Sequence, residues 1–216
     1  MMAKKSTSNK AKKSEKTLAF SGHRPEKLPW GDEEENPRAI ALKEEIIREV
    51  RKQIAEGTRQ FICGMARGCD HYFAEAVLCL QDEGASVKLE AAVPYEGQAE
   101  HWSQEQRDRY YAILARCDKV TVLQTNYDSQ CMFARNRYMV DCADMLLAVH
   151  TDDGKRSGTL HTIKYARQKG RQVIILPPEA QEEKVDPAVL LFAESPTEYL
   201  KKLAREKLAK ERKVEG

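Results

Sequence analysis

Four short stretches of this chain carry residue types suited to holding a phosphorylated ligand: Ser21-Gly22-His23-Arg24-Pro25, Gly64 to Asp70, Val93 to Gln98, and Ser157-Gly158-Thr159. The last is the most informative. It opens a helical stretch just past the apolar run Met145–His150, and a helix start offers free backbone N–H groups at the positive end of its dipole. Such an end favours an anion, most often phosphate. A solvated loop with an ordinary Ser/Thr cap is the other reading of the same residues. In the first stretch Gly22 permits a tight turn, and Arg24 suits bidentate pairing with phosphate or carboxylate, or simple solvation. In the second, Gly64 and Gly68 allow a ligand to approach the backbone, while Asp70 suits helix capping as well as ribose binding. In the third, Pro94 ends a strand, Tyr95 can stack on a base, and Glu96 can bond a ribose or an amine, whereas Trp102 reads first as a core aromatic. Arg135 adds a cation from the helical stretch ahead of Met145. A glycosidic cleavage would need a carboxylate, for which Glu75, Glu96 and Asp144 are the candidates.

The elements that must position these residues follow from periodicity. Short apolar runs at Thr17–Ser21, Gln60–Gly64, Val87–Val93, Lys119–Leu123, Met145–His150 and Gln172–Leu176 read as strands. Between the first two, Asn36-Pro37 caps a helix whose Ile40, Ile47, Val50 and Ile54 recur at helical spacing until Gly57. A second helix carries Phe73, Ala76, Val77 and Leu80 and stops at Gly84; a third carries Trp102, Tyr110, Ile113, Leu114 and Cys117. A fourth covers Phe133 to Cys142 and a fifth runs from Gly158 to Gly170. Six strands separated by five helices require crossover connections. The expected architecture is therefore an α/β three-layer sandwich, a mostly parallel sheet with helices on both faces. All four stretches then lie at the carboxyl ends of strands, where open α/β sheets bind ligands.

Composition narrows the classes. Of 216 residues, 41% are hydrophobic and 32% charged, as in one ordinary soluble domain. No apolar run approaches the roughly 18 residues that span a bilayer, and Leu18-Ala19-Phe20 after the basic start is too short for a signal-peptide core. The six cysteines show no CxxC spacing, which argues for reduced thiols, a cytoplasmic protein and no metal site. The net charge is +2, but residues 1–17 carry six lysines against Glu15, and residues 197–216 carry seven basic against four acidic side chains, leaving −6 between them. A nucleic-acid-binding domain usually carries basic charge on its folded body; here only weak tail contacts are expected. The chain divides into a disordered basic arm (1–16), a folded domain (17–178), and an acidic linker with a charged terminal helix (179–216). That helix, about Thr197 to Lys213, has an apolar stripe of Leu200, Leu203, Ala204 and Leu208, suited to loose packing on the body or to a homodimer.

Taken as an ordered set, these residues resemble the YpsA-like branch of the SLOG superfamily, the Rossmann-type group that includes DprA and the LOG phosphoribohydrolases. The resemblance is carried by Ser21 to Pro25, Gly64 with Gly68, Asp70 and Glu75, Val93-Pro94-Tyr95 with Gln98 and Trp102, Tyr110 and Asp118. It continues in Arg135-Asn136, Met139-Val140-Asp141, Ala143-Asp144, and Ser157-Gly158-Thr159 with Tyr165-Ala166. It covers residues 17 to 178 and implies a Rossmann-like fold whose strand ends bind a nucleotide-related ligand. No defined reaction is implied for this branch. LOG-type enzymes carry a Pro-Gly-Gly-x-Gly-Thr-x-x-Glu loop whose glutamate serves the cleavage. Aligning the Gly-Thr pair puts Lys155 and Arg156 near the paired glycines and Thr162 at the glutamate. A threonine supplies no carboxylate for an oxocarbenium-like centre.

The expectation is cytoplasmic binding or sensing of a nucleotide, NAD or ADP-ribose derivative, held by Ser21, Gly22, Arg24, Gly64, Gly68, Asp70, Pro94, Tyr95, Glu96, Arg135, Ser157, Gly158 and Thr159. Such a ligand is the one bound group foreseen. An N-glycosidase acting on nucleotides, and DprA-like nucleic-acid binding, are the alternatives.

Overall fold

The structure is a computed structural model that describes residues 15–178. The expected arm up to residue 14, and the acidic linker and terminal helix, lie outside the described residues. Six strands, β1 (Lys16–Ser21), β2 (Thr58–Cys63), β3 (Lys88–Val93), β4 (Lys119–Val122), β5 (Met145–Val149) and β6 (Gln172–Leu176), form one sheet in the order β4-β3-β2-β1-β5-β6. Every neighbouring pair is parallel. The connections carry α1 (Pro37–Ala55), α2 (Cys69–Asp82), α3 (Gln104–Leu114), α4 (Cys131–Asp141) and α5 (Gly158–Gln168). The α/β Rossmann-like sandwich expected from the alternation of strands and helices is thus the architecture observed.

The strands sort their side chains by the two-residue period of extended backbone. Leu18, Phe20, Phe61, Cys63, Leu89, Ala91, Met145 and Leu147 join the core beneath α1, α2 and α3. Ala19, Ile62, Ala92, Leu146 and Ala148 face the other way, against Met139 and Val140 of α4 and Ile163 and Ala166 of α5. On the first face Phe20 stacks on Phe73, with ring centroids 4.3 Å apart.

Helix starts follow their caps. The Asn36 side chain accepts from Arg38 N ahead of Pro37, and Ser103 with Gln106 forms a capping box at α3. The fourth helix begins at Cys131, two residues ahead of the expected Phe133. A short 3-10 turn at Pro25–Lys27 follows β1, where the sequence suggested only loop; it carries Glu26 and Lys27 to the sheet edge. At the opposite, amino edge, two aspartates tie neighbouring strands together. Asp144 accepts from Thr17 N at 2.8 Å, and Asp118 from Leu89 N at 2.8 Å. Among the described residues no helix is long and apolar enough to cross a membrane.

Candidate functional site

Strand order reverses between β1 and β5: β2, β3 and β4 extend the sheet to one side of this pair, β6 to the other. A reversal leaves adjacent strand ends with loops that diverge to opposite faces, opening a crevice at the carboxyl edge. A cavity of about 290 Å³ fills it, at the small end of ligand pockets. The loop after β1 supplies Ser21, Gly22, His23, Arg24, Glu26 and Lys27, and the start of α5 supplies Ser157, Gly158 and Thr159. Ala66 and Asp70 come from the turn into α2, and Met132, Arg135, Asn136 and Met139 from α4.

The floor is a buried pair of opposite charges. Asp70 is 4% exposed and Arg135 6%, with Arg135 Nη1 and Asp70 Oδ2 4.0 Å apart. Burial raises the Asp70 carboxyl above its ordinary pKa, and the Arg135 charge and the N–H groups of Ala66 and Gly22 oppose that rise. Those two amides donate to its separate oxygens, Gly22 N to Oδ1 at 3.2 Å and Ala66 N to Oδ2 at 3.0 Å. One carboxylate therefore fastens the loop after β1 to the loop after β2. Arg135, its own pKa lowered by burial, donates through Nε to Asn136 Oδ1 at 2.8 Å and through Nη1 to the Gly64 carbonyl. Gly64 must be glycine for this, because a Cβ there would overlap the guanidinium. Gly68 has φ +81, and a Cβ on it would stand 3.0 Å from the His23 carbonyl oxygen. Between them Met65, fully buried, holds φ 57, a left-handed conformation that costs a non-glycine residue about 1–2 kcal/mol. Its carbonyl accepts from Gln98 Nε2 at 2.5 Å.

The walls are joined by three further bonds. Thr151 N donates to His23 Nε2 at 3.0 Å, Thr159 Oγ1 to the Gly22 carbonyl at 3.1 Å, and Lys27 Nζ to the Arg156 carbonyl at 3.0 Å. Ser157 caps α5 by accepting from Leu160 N at 3.0 Å. The amides of Gly158 and Thr159, the first two of the helix, have no intrahelical acceptor and border the cavity. Arg24 is exposed, and among the described residues its guanidinium meets only Met132 Sδ, at 3.9 Å. Two helix-start amides and a guanidinium above a buried Arg135 are groups of the kind that can hold an anion.

Eight of the proposed ligand-binding residues thus come together: Ser21, Gly22, Arg24, Asp70, Arg135, Ser157, Gly158 and Thr159. Gly64 and Gly68 lie in the turn that shapes the site rather than on its lining. Pro94 is buried at the end of β3, and Glu96 is exposed. Tyr95 borders a different cavity, about 440 Å³, with Gly97, Glu100, His101, Thr125, Asn126 and Tyr127.

The three candidate catalytic carboxylates lie elsewhere than the 290 Å³ cavity. Glu75 is gripped by Arg109, whose Nε and Nη2 donate to its two oxygens, each at 2.7 Å. Arg109 Nη1 also donates to Glu34 at 2.6 Å, and Glu34 accepts from Lys43 at 2.7 Å. Asp144 serves the amino edge, at the far end of the sheet. Thr162 is buried and donates to the Gly158 carbonyl of its own helix at 2.9 Å.

His23, Glu26, Lys27, Met132, Asn136 and Met139 were not singled out from the sequence as ligand contacts. For α4 a signal was present: Met132, Arg135, Asn136 and Met139 fall at i, i+3, i+4 and i+7, one face of a helix.

Fold and site together define a Rossmann-like protein with a polar crevice at its switch point. The sequence profile of the YspA SLOG family matches residues 18–177, and the chain belongs to that family. It is similar to a UPF0398 protein of Bacillus cereus (strain B4264), 27% identical over 157 residues, which are 72% of this chain and 84% of the relative. A UPF0398 protein of Bacillus pumilus (strain SAFR-032) is 29% identical over 137 residues, 62% of this chain and 73% of the relative. Among solved structures, DNA processing protein A from Helicobacter pylori, described for its single-stranded DNA binding mode, is similar in fold. Its TM-score is 0.53 at 15% identity, covering 89% of this chain and 81% of that one.

Proposed function

We propose that the protein binds or senses a nucleotide-related ligand, with a phosphate against the start of α5. The observation that carries this is the meeting of Arg24, Arg135 and the Gly158 and Thr159 amides in one cavity at the β1/β5 reversal. Arg24 would add the second charge to the phosphate, and Arg135 would act from below through the field of the floor. The six free cysteines suit a reducing compartment, and we place the protein in the cytoplasm on that ground.

Binding without hydrolysis is the reading these positions favour. Glu75 is bonded through both oxygens by Arg109, and Asp144 accepts from Thr17 N at the far end of the sheet. Asp70, the carboxylate on the cavity floor, already accepts two amides. Nucleic-acid binding of the kind ascribed to the Helicobacter protein is opposed by the −6 carried between residues 18 and 196.

Thermal-shift measurements with AMP, NAD and ADP-ribose on apo protein test the proposal. A ligand present at 100 times its Kd should add about 2.7 kcal/mol of stability. Absence of any shift with all three at millimolar concentration would count decisively against nucleotide binding.

A further inference from the structure

Beyond Arg24 the carboxyl edge continues into the second cavity, whose most exposed large hydrophobic is Tyr127, 64% exposed in the β4–α4 connection. Exposing so large an aromatic forgoes the burial that usually holds such a ring in a fold. Tyr127 is nonetheless held in a definite place. Gln124 Nε2 donates to the Asn126 carbonyl at 2.6 Å and to Asp128 at 3.0 Å, and Gln130 N donates to Asp128 at 2.7 Å. Tyr95, from the end of β3, meets it edge to face, with centroids 5.4 Å apart and planes at 71°.

Two rings at right angles form a corner, not a sandwich. A third planar ring can stack on the open face of one tyrosine while meeting the edge of the other. The rim of this corner carries Asn126, Thr125, His101 and Glu100, side chains that can bond the edge of a heteroaromatic ring. The connection that carries Tyr127 runs directly into α4, whose second residue, Met132, lines the first cavity and lies 3.9 Å from the Arg24 guanidinium.

We infer that the Tyr95–Tyr127 corner is the subsite for the base of a nucleotide whose phosphate lies against the start of α5, with Arg24 between the two. This rests on the phosphate reading above and extends it, making Tyr127 the stacking residue.

Calorimetric titration with AMP and with ribose 5-phosphate separates the two readings, since the compounds share sugar and phosphate and differ by the base. Base–aromatic stacking is worth ~1–3 kcal/mol, so AMP is expected to bind about tenfold or more tightly than ribose 5-phosphate. Tyr127→Ala should erase that ratio while leaving ribose 5-phosphate binding within about twofold, and Tyr127→Phe should keep it. Thermal midpoints of both variants should match the wild type, since the side chain is solvent-facing. A wild-type ratio near one, or a ratio that survives Tyr127→Ala, overturns the base subsite and leaves the phosphate reading standing. Failure of both compounds to bind overturns both.

Discussion

Two clusters of partly or fully buried charge sit on different sides of α2. The Lys43–Glu34–Arg109–Glu75 chain closes on itself: every carboxylate meets a cation at 2.6–2.7 Å, and Lys43 also lies 4.6 Å over the Tyr72 ring. The Asp70–Arg135 pair is looser, 4.0 Å apart; Asp70 accepts from the backbone of two loops, and Arg135 donates to the Gly64 carbonyl and to the Asn136 side chain. Above it lies a cavity bordered by Arg24, which meets no carboxylate among the described residues. Groups that satisfy one another hold helices together. Groups that fix loops and leave a field pointing into a cavity are placed for something that arrives. Glu75 and Asp70 are both acidic residues of α2, and their partners separate scaffold from site.

That contrast can be broken by substitution. Arg135→Met should have the largest effect, since it leaves Asp70 buried without its cation, at a cost of about 3–5 kcal/mol in denaturant unfolding. AMP affinity should also fall at least tenfold. Arg109→Met should cost about 2–3 kcal/mol, less because the residues concerned are partly exposed, with AMP affinity unchanged in the folded protein. A matching loss of affinity would abolish the distinction between the clusters.

Acid should act mainly through the Arg109 side of the molecule. His71, packed near Trp102 and Tyr110, is held by burial, and secondarily by Arg109, at a pKa of about 3. The unfolded chain takes up a proton near pH 6.5 that the folded chain refuses, so this part of the stability is complete above 6.5 and is lost as pH falls towards 3. Between pH 7 and pH 5 the loss should be about 2 kcal/mol, and His71→Phe should flatten it. Asp70 acts in the opposite sense, because its raised pKa makes the folded state the better proton acceptor. The difference between wild type and variant is therefore the quantity to measure. Smallest in stability is Arg24→Ala, within about 0.5 kcal/mol, although AMP affinity should fall about tenfold with loss of a charge-assisted bond.

The layers were legible because strand alternation and helix spacing are local. Phe20 and Ala19 face opposite cores simply by being neighbours on one strand. The start of α5 was legible for the same reason, since Ser157-Gly158-Thr159 directly follows a strand and its loop. The roles of the carboxylates were not, because the groups that bond them lie far along the chain. Glu75 meets an arginine 34 positions later, and Asp144 a strand 127 positions earlier. Tyr127 escaped notice because nothing periodic marks its loop; only the fold of residues 124–130 turns it towards Tyr95.

The reversal of strand order has a consequence for how the protein comes into being. β1 and β5 are neighbours in space, yet the bond between Thr17 and Asp144 closes a loop spanning 127 positions. Closing so long a segment costs about 4 kcal/mol of chain entropy, returned only once β5 is seated. A nascent chain can therefore assemble β1 to β4 with their helices while the β1/β5 cleft does not yet exist. The cleft itself is completed late in synthesis, after residue 159 has emerged and β5 has docked. A ligand that stabilises the cleft would act on the last step of maturation rather than the first.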